Sequence, residues 1–334
     1  MKAFIVKRYG KNEKLHLTDW AEPTVDVNDV LVQVHSAGVN QLDSMIRNGE
    51  FKLFLTYKPP FINGHDVAGV ITKVGSKVSR FKVGDEVYAR PSDYNIGTFA
   101  ELISIHENDV ALKPINISMQ EAASIPLIGL TAWQALVEIA KLKKGQKVFI
   151  QAGSGGVGTF AIQLAKHLGA TVATTTSAGN FALVKSLGAD VVIDYKSEDF
   201  EARLKDYDVV LHSNKNKKIL EKSLRILKPG GQLISLTGPP TPEFAAQLGL
   251  AWHLKFITKL LSAAAKKYAK KRNVNFTFLF MRAEGNQLSK ITTLIESGVI
   301  KPVIDKVFPF EQTNEAMAYV ETGRSKGKIV IKLK

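Results

Sequence analysis

The sequence predicts an α/β protein of two domains, one of which is built on a doubly wound parallel sheet. Three observations lead to this prediction. From residue 147 onwards, short apolar strands alternate with helices, which is typical of a parallel sheet covered on both faces. A glycine-rich hexamer at residues 153–158 stands between the first of these strands and the helix that follows it. The preceding part of the chain is rich in β-strand and turn signals, which indicates a separate β domain.

Length and composition agree with two globular domains and exclude thiol chemistry. The chain has 334 residues, of which 45% are hydrophobic and 23% charged, and it contains no cysteine. Disulfides, thiolate metal sites and a cysteine nucleophile are therefore excluded. The first nine residues lack the apolar core of a signal peptide and predict a strand, and no apolar stretch is long enough to span a membrane. We therefore expect a cytoplasmic protein.

The individual elements follow from local signals. Alternating apolar runs predict strands at residues 30–35 and 67–74, and Ser118 with Glu121 forms a capping box before a helical stretch. Pro242 precedes a long helical region. We expect a first domain of residues 1–122, completed by residues 282–334, and a parallel-sheet domain of residues 123–281. The remaining predicted strands are residues 147–152, 171–175, 191–193, 209–211, 232–236, 276–281, 303–308 and 328–333, and the predicted helices are residues 130–140, 158–168, 180–187, 219–227, 286–296 and 312–321.

The hexamer matches the G-x-G-x-x-G pattern of dinucleotide-binding loops, and it stands where this function requires it, after a strand and at the start of a helix. Gly153 permits a tight turn, Gly155 lets the backbone approach a pyrophosphate, and Gly158 lets the helix pack against the strand. The helix N-terminus offers free N–H groups to the phosphates. The predicted cofactor-binding residues of this loop are Gly153, Ser154, Gly155, Gly156, Val157 and Gly158.

The end of the second strand of this unit indicates which dinucleotide binds. NAD sites usually place an acidic residue there, which holds the ribose 2′-hydroxyl. No Asp or Glu occurs from Gln151 to Ala189, and residues 174–177 supply hydroxyl groups instead. NADPH is therefore the predicted cofactor, although the arginine that often pairs with a 2′-phosphate is absent as well.

Several further motifs occur along the chain: residues 37–43 (AGVNQLD), 64–69 (GHDVAG), 81–87 (FKVGDEV), 122–126 (AASIP), 129–133 (GLTAW), 186–190 (SLGAD), 227–231 (LKPGG) and 323–328 (GRSKGK). With these motifs, nearly the whole chain resembles the zinc-independent, zeta-crystallin-like quinone oxidoreductases of the medium-chain dehydrogenase/reductase superfamily. The resemblance implies a GroES-like catalytic domain, a Rossmann domain and a cofactor in the cleft between them. It also implies a homodimer that forms through the edge of the Rossmann sheet, with residues 276–281 as the pairing strand.

The resemblance further implies roles for individual residues. Asn40 would lie in the nicotinamide pocket, and Thr131 would lie beside the nicotinamide ribose. The other cofactor contacts implied outside the glycine loop are Ser177, Asn180 and Tyr195 on the adenosine side, together with Lys328.

Zinc-dependent relatives use two cysteines and a Gly-His-Glu histidine as ligands. Asn40 stands where the first cysteine would be, and the second cysteine position falls near Leu127, so His65 is the single imidazole left. One imidazole and one carboxylate are too few ligands for a catalytic zinc ion. We therefore predict no metal and interpret His65 as a hydrogen-bonded histidine rather than a ligand. Tyr57 is the phenol nearest in sequence to the segment that follows Asn40. A catalytic donor and an aromatic residue packed in the core are equal interpretations of it.

These residues favour one class of reaction. A reduced nicotinamide supplies a hydride, and a quinone or an α,β-unsaturated carbonyl needs only stacking over its ring and donors near the developing oxyanion. Asn40, Tyr57 and His65 are the predicted catalytic donors. Reduction of a simple ketone normally needs a stronger electrophile such as zinc. The predicted function is therefore an NADPH-dependent, zinc-independent reductase of quinones or enones, with an enoyl or 2-alkenal reductase as the alternative.

Half of the net charge of +14 comes from residues 255–272, which contain seven basic residues and no acidic one. We interpret this segment as a helix with a solvated lysine face above an apolar stripe packed on the protein. A lid for lipophilic or anionic acceptors near a membrane surface is the weaker alternative. A nucleic-acid-binding protein regulated by NADPH is a hypothesis from another class, but no RNP, KH or zinc-finger pattern supports it. On a helical wheel of this segment, one face contains Lys255, Lys259, Lys266 and Lys270, and the opposite face contains Ile257, Leu260, Leu261, Ala264 and Tyr268.

Overall fold

The computed structural model describes residues 1–11, 13–55 and 57–334, and the chain divides into two units. The first unit comprises residues 1–130 and 282–334, and the second comprises residues 131–281. The sequence placed the first boundary at residue 122. In the structure this boundary follows residue 130. It lies later because the helix Pro126–Trp133 begins in the first unit, where the Leu127 N–H donates to Asp66 Oδ1 at 2.7 Å.

The strands and helices have the following bounds. The strands are β1 (Lys2–Val6), β2 (His16–Asp19), β3 (Asp29–Val39), β4 (Phe61–Ile62), β5 (Asp66–Val74), β6 (Glu86–Ala89), β7 (Leu102–His106), β8 (Val110–Leu112), β9 (Lys147–Ile150), β10 (Thr171–Thr176), β11 (Val191–Asp194), β12 (Tyr207–His212), β13 (Leu227–Ser235), β14 (Asn275–Phe278), β15 (Ile304–Pro309) and β16 (Lys328–Lys332). The helices are α1 (Gln41–Arg47), α2 (Met119–Ala123), α3 (Pro126–Trp133), α4 (Gly156–His167), α5 (Phe181–Ser186), α6 (Phe200–Arg203), α7 (Lys217–Arg225), α8 (Pro242–Gln247), α9 (Trp252–Lys271), α10 (Gly285–Glu296) and α11 (Thr313–Glu321).

The first unit is built on two sheets. A small antiparallel sheet has the order β2-β1-β4, and a larger one has the order β15-β16-β3-β5-β6-β8, with β7 also paired to β3. In the larger sheet, Val39 at the end of β3 lies opposite Ile329 of β16, and Gly38 lies opposite Asp66 of β5. The ends of three strands that are far apart in sequence therefore meet at one place, directly before α1.

The second unit is a parallel sheet with the order β11-β10-β9-β12-β13-β14. This is the doubly wound arrangement, in which the strand order reverses between β9 and β12 and ligands bind at the carboxyl ends of the strands. The glycine hexamer lies in this position, between β9 and α4. The predicted α/β fold with a β-rich domain and a doubly wound parallel sheet is confirmed.

Several details differ from the sequence prediction. The strand expected at residues 276–281 is shorter, and the helical region after Pro242 is two helices, α8 and α9. Helix α6 was not predicted, although Asp199 before it is an N-cap residue whose side chain accepts from the Glu201 N–H at 3.1 Å. Within residues 1–11, 13–55 and 57–334, no helix combines the length and the apolar character needed to cross a lipid bilayer.

Candidate functional site

The three glycines of the hexamer differ in what surrounds them. A Cβ atom on Gly153 would lie 2.1 Å from Thr174 Oγ1, and one on Gly158 would lie 2.3 Å from the Ala152 carbonyl oxygen. A Cβ atom on Gly155 would meet only the Ala152 oxygen, at 3.4 Å, which is an ordinary contact. Packing within the protein therefore requires the two outer glycines but leaves the space beside Gly155 open. An open approach at the N-cap of α4 fits a dinucleotide pyrophosphate.

The tight turn of the loop is made differently from the sequence prediction. Ala152, and not Gly153, has the left-handed backbone conformation, with φ at +53°. Gly153 contributes by lacking a side chain, and its N–H donates to the Thr175 carbonyl at 2.9 Å. The loop is thus fixed against β10 by backbone hydrogen bonding and close packing.

Polar side chains gather beside this loop at the end of β10. Ser154 Oγ accepts hydrogen bonds from Thr176 Oγ1 at 2.8 Å and from Asn180 Nδ2 at 3.1 Å. Asn180 Nδ2 also lies 3.3 Å from Ser177 Oγ. Tyr195 is exposed, and its backbone N–H donates to the Thr176 carbonyl at 3.3 Å. The structure thus brings together Ser154, Ser177, Asn180 and the backbone of Tyr195 from the predicted adenosine side.

Two of the hydroxyls expected here are used within the protein. Thr174 Oγ1 donates to the Ile150 carbonyl at 2.6 Å, and Thr175 Oγ1 accepts from the Ala152 N–H at 3.3 Å. The hydroxyl groups of residues 174–177 therefore divide between the turn and the cluster around Ser154.

In the first unit, Asn40 is the centre of a buried polar cluster. Its Nδ2 donates to Asp66 Oδ2 at 2.9 Å, and its Oδ1 accepts from Lys328 Nζ at 2.5 Å. Lys328 Nζ also donates to Asp66 Oδ2 at 3.1 Å and to the Val39 carbonyl at 3.1 Å. Because an ammonium group only donates and a carboxylate only accepts, these two partners fix the orientation of the Asn40 amide.

His65 is completely buried beside this cluster. Its Nδ1 lies 2.5 Å from Asp43 Oδ1, while Asp43 Oδ2 accepts from the Asn40 backbone N–H at 2.7 Å. A carboxylate accepts, so Nδ1 carries the proton in this hydrogen bond. No polar atom of the described residues is a partner of His65 Nε2. His65 thus has the hydrogen-bonded environment that its first interpretation expected, and its role as a donor to the acceptor stays a prediction.

Tyr57 lies in an aromatic cluster. Its ring stacks on Phe61 with a centroid distance of 5.2 Å and is tilted against Tyr94 at 6.0 Å, and its hydroxyl accepts from the Tyr94 N–H at 3.4 Å. Burial raises the pKa of the Tyr57 phenol. None of the contacts described for Tyr57 involves Asn40 or His65, so the structure favours the packed aromatic of the two interpretations.

Lys328 has a different environment from the one expected of a phosphate-binding lysine. All three of its described acceptors, the Val39 carbonyl, Asn40 and Asp66, belong to the first unit, and the side chain is buried. Its ammonium has no proton to spare for a phosphate, because these acceptors use all three. These contacts support a role of Lys328 in holding the Asn40 amide, and its cofactor-binding role stays a prediction.

Two functional residues, Asp43 and Asp66, were missed from the sequence although both stand inside the motifs around Asn40 and His65. Both are fully buried. Buried carboxylates are almost always paired, so an acid embedded in an apolar motif next to a candidate site was the available signal. Thr131, expected beside the nicotinamide ribose, is buried within α3.

The second unit contains a cavity that is lined by none of the residues of the glycine hexamer. It has a volume of about 480 Å³ and is bounded by the segment after β12 and by α9. His212 is one of its lining residues, and burial lowers the pKa of this histidine to about 4. We call this space the α9 pocket; it is lined by Lys215, Lys217, Lys267, Lys271, Glu221 and by apolar residues that include Leu261 and Ala264.

The described side chains around His65 are not arranged as the ligands of a metal ion. In the part of the chain that the structure describes, no group of three or more His, Asp or Glu side chains is arranged to hold a metal ion. Around His65, the Nδ1 is used by Asp43, and Asn40 and Lys328 occupy Asp66. These residues do not form a zinc centre.

A GroES-like β unit and a doubly wound unit with a dinucleotide loop define an oxidoreductase of the alcohol dehydrogenase type. Two family models match the chain: an alcohol dehydrogenase GroES-like domain at residues 26–115 and a zinc-binding dehydrogenase domain at residues 187–331. The chain is 38% identical to 2-methylene-furan-3-one reductase from Solanum lycopersicum, over 99% of this chain and 79% of the relative. It is 36% identical to the chloroplastic NADPH-dependent alkenal/one oxidoreductase from Arabidopsis thaliana, with the same coverage.

Solved structures agree with this assignment. The quinone oxidoreductase from Coxiella burnetii superposes with a TM-score of 0.85 at 29% identity, over 100% of this chain and 99% of that one. The chain therefore belongs to the medium-chain dehydrogenase/reductase superfamily, in the group that contains the quinone and alkenal oxidoreductases. It is an oxidoreductase that uses a nicotinamide cofactor.

The relatives overturn one expectation. An NAD(P)H oxidoreductase from Danio rerio, 35% identical over 100% of this chain, is named as mitochondrial, and the Arabidopsis thaliana relative is named as chloroplastic. The prediction of a cytoplasmic location was wrong. It rested on the strand predicted for the first nine residues and on the lack of a long apolar stretch, and neither feature distinguishes the cytoplasm from these organelles.

Proposed function

We propose that this protein is an NADPH-dependent reductase of quinones and α,β-unsaturated carbonyl compounds that works without a metal ion. The observation that carries the cofactor choice is the cluster of Ser154, Thr176, Ser177 and Asn180 beside the open approach at Gly155. Hydroxyl and amide groups can donate to a 2′-phosphate, whereas an acidic residue at this place would repel it.

The cofactor choice can be tested by measuring dissociation constants for NADPH and NADH in the same titration. We expect tighter binding of NADPH. Ser177→Asp should weaken NADPH binding by about tenfold or more, because the 2′-phosphate carries a charge of about −1.5 to −2, and should affect NADH much less. Ser76→Asp, at an exposed position of the first unit, is the matched control and should change neither constant. Equal affinities for the two dinucleotides in the unmodified protein would contradict the proposal.

The acceptor chemistry is assigned to the first unit. A bound, reduced nicotinamide supplies the hydride. Asn40 uses one Nδ2 hydrogen for Asp66, and the second remains to donate to the oxygen of the acceptor, where negative charge develops. Lys328 and Asp66 hold the amide in this orientation before the acceptor arrives, so that little reorganisation is needed during the reaction.

A quinone or an enone suits this arrangement better than a simple ketone. Delocalisation already stabilises the enolate or hydroquinone anion that hydride transfer produces, so one amide donor is a sufficient electrophile. The relatives named as alkenal/one oxidoreductase and quinone oxidoreductase support the same acceptor class. His65 remains a proposed secondary donor. The contacts of Tyr57 with Phe61 and Tyr94 support packing rather than a donor role.

The acceptor class can be tested by following NADPH oxidation with 1,4-naphthoquinone, a 2-alkenal, a simple enone and a saturated ketone after exhaustive chelation. We expect activity with the first three. Asn40→Ala should lower kcat by about 10²-fold and change NADPH affinity little, because the donor acts where charge develops. Asn116→Ala removes a structural amide that donates to the Ile295 carbonyl, and it should leave kcat unchanged. Chelator-sensitive activity that zinc restores, with the saturated ketone as the best acceptor, would refute the metal-free mechanism.

The edge of the parallel sheet supports a proposed homodimer. β14 is the last strand of the order β11-β10-β9-β12-β13-β14, so one side of it has no neighbour within this sheet. Pairing of two such edges would satisfy the unpaired backbone groups of both. The Leu279 N–H donates to the Ser235 carbonyl of β13, so Phe278, the residue before it, has its own N–H on the free side of β14. Replacing Phe278 by proline should therefore convert a dimer to a monomer in sedimentation velocity, and a monomeric unmodified protein would contradict this assignment.

A further inference from the structure

Helix α9 buries small side chains and exposes large apolar ones, which is the reverse of an ordinary surface helix. Its buried positions are Thr258, Ser262, Ala265 and Ala269, which are small or polar. Ser262 Oγ donates to the Thr258 carbonyl and Thr258 Oγ1 donates to the Lys255 carbonyl, each at 2.8 Å, so the buried hydroxyls are satisfied within the helix. A surface helix normally buries its large apolar side chains instead.

The large apolar side chains of α9 point outwards. Trp252 is 79% exposed and Leu260 is 62% exposed, and Phe256 lies between them on the same face at four-residue spacing. Ile257 and Leu261 extend this surface on one side and are also exposed. We call these five side chains the α9 apolar patch. The preferred sequence interpretation, an apolar stripe packed on the protein, is therefore wrong for four of its five residues, Ile257, Leu260, Leu261 and Ala264.

Cations surround the patch. Lys255 and Lys259 lie along one edge of the helix, and Lys267, Lys270 and Lys271 continue the outward face towards its C-terminus. The nearby acids are few: Glu243 pairs with Lys266 at 2.8 Å, and Glu221 lines the α9 pocket. The pocket beside the patch adds Lys215 and Lys217 to the same cationic surface.

We propose that α9 is an interfacial helix that docks this protein on an anionic lipid surface. Aromatic and aliphatic side chains beside lysines are the composition of helices that lie in the plane of a membrane interface, with Trp at the headgroup level. Charge complementarity selects the anionic lipid as occupant, because a second copy of this chain would bring the same lysines into contact with one another. The lysines near the lipid surface add attraction that salt weakens.

The experiment is flotation of the full chain with vesicles of phosphatidylcholine, with and without phosphatidylglycerol, at low and high salt. We expect binding to the anionic vesicles, a blue shift of tryptophan fluorescence from Trp252, and release by salt. Leu260→Ser should weaken partitioning by about tenfold, and Lys255→Gln with Lys259→Gln by about 25-fold, at about fivefold for each lysine. All three positions are exposed, so the variants should fold normally.

Matched controls are Ile115→Ser, at an 87% exposed apolar position of the first unit, and Lys73→Gln, also exposed there. Neither should change vesicle binding. Reduction of a water-soluble quinone should be unchanged in Leu260→Ser, which separates this inference from the proposed activity. Absence of binding to anionic vesicles at low salt would overturn the inference. A change from dimer to monomer in Leu260→Ser, without vesicle binding, would assign the patch to a second copy of the chain instead.

Discussion

The contrast between Gly155 and Gly158 gives a prediction that separates ligand binding from folding. Gly155→Val places a branched side chain in the open approach at the N-cap of α4. The backbone there has φ at −80° and ψ at 173°, which any residue adopts. Valine is a poorer N-cap than glycine by up to about 1 kcal/mol. The lower entropy of its unfolded chain returns about 0.4–1 kcal/mol. The free energy of unfolding should therefore change by less than about 1 kcal/mol.

Cofactor binding should respond very differently. A charge-assisted hydrogen bond from a backbone N–H is worth about 1.5–3 kcal/mol. If the valine keeps the pyrophosphate from two such groups, the loss is at least about 3 kcal/mol, or about 10²-fold in the dissociation constant. Gly158→Ala should show the opposite pattern. Its Cβ would lie 2.3 Å from the Ala152 oxygen and 2.7 Å from Gly153 Cα, both backbone atoms that no rotamer change can move.

The cost of that overlap is about 1–3 kcal/mol or more, and it outweighs the gain of about 1 kcal/mol in helix propensity. Urea unfolding without cofactor and fluorescence titration with NADPH measure the two quantities. We expect Gly155→Val to lose affinity at unchanged stability and Gly158→Ala to lose stability. Normal NADPH binding by Gly155→Val would show that the loop is only structural, and the central assignment of the second unit would fail.

The remaining predictions concern buried charges. Burial lowers the pKa of His212 to about 4 in the folded protein, against 6.5 for the free side chain. The folded protein therefore keeps its full stability above pH 6.5, where His212 is neutral in both states, and loses stability as the pH falls towards 4. Urea unfolding should show a loss of about 2 kcal/mol between pH 7 and pH 5 that is absent in His212→Gln; an equal loss in both proteins would exclude this histidine as the cause. Lys328→Met leaves Asp66 buried without its cation and should lower the free energy of unfolding by about 3–5 kcal/mol, and an unchanged urea midpoint would contradict the buried pair.

The parts of the fold that depend on local periodicity could be predicted from the sequence. The strands from β9 to β13 follow from short apolar runs, and the capping box at Ser118 is present, with Ser118 Oγ accepting from the Glu121 N–H at 3.2 Å. The orientation of α9 could not be predicted. The wheel placed Lys255 and Lys259 apart from Leu260 and Leu261, but the neighbouring elements decide which side of the helix packs. The side that they bury is the one that contains Thr258 and Ser262.

In the candidate site as well, the features that are local in sequence could be predicted, and those that depend on tertiary contacts could not. The glycine loop is local in sequence, so its spacing and context were sufficient to predict it. The cluster around Asn40 joins side chains from the N-cap of α1, from β5 and from β16, and no local pattern relates residues so far apart. Lys328 was thus assigned to the cofactor by analogy, although the structure shows that its partners are Asn40 and Asp66.

The insertion of the second unit into the first has a consequence for the order of synthesis. Residues 131–281 form a continuous unit, so they can fold on leaving the ribosome. Lys328 emerges 288 residues after Asn40, and until then β3 lacks β16 and the amide lacks its cation. A nascent chain therefore passes through a stage with a finished dinucleotide fold and an unfinished reaction centre. During that stage the open side of β3 is exposed to chaperones and to other nascent chains.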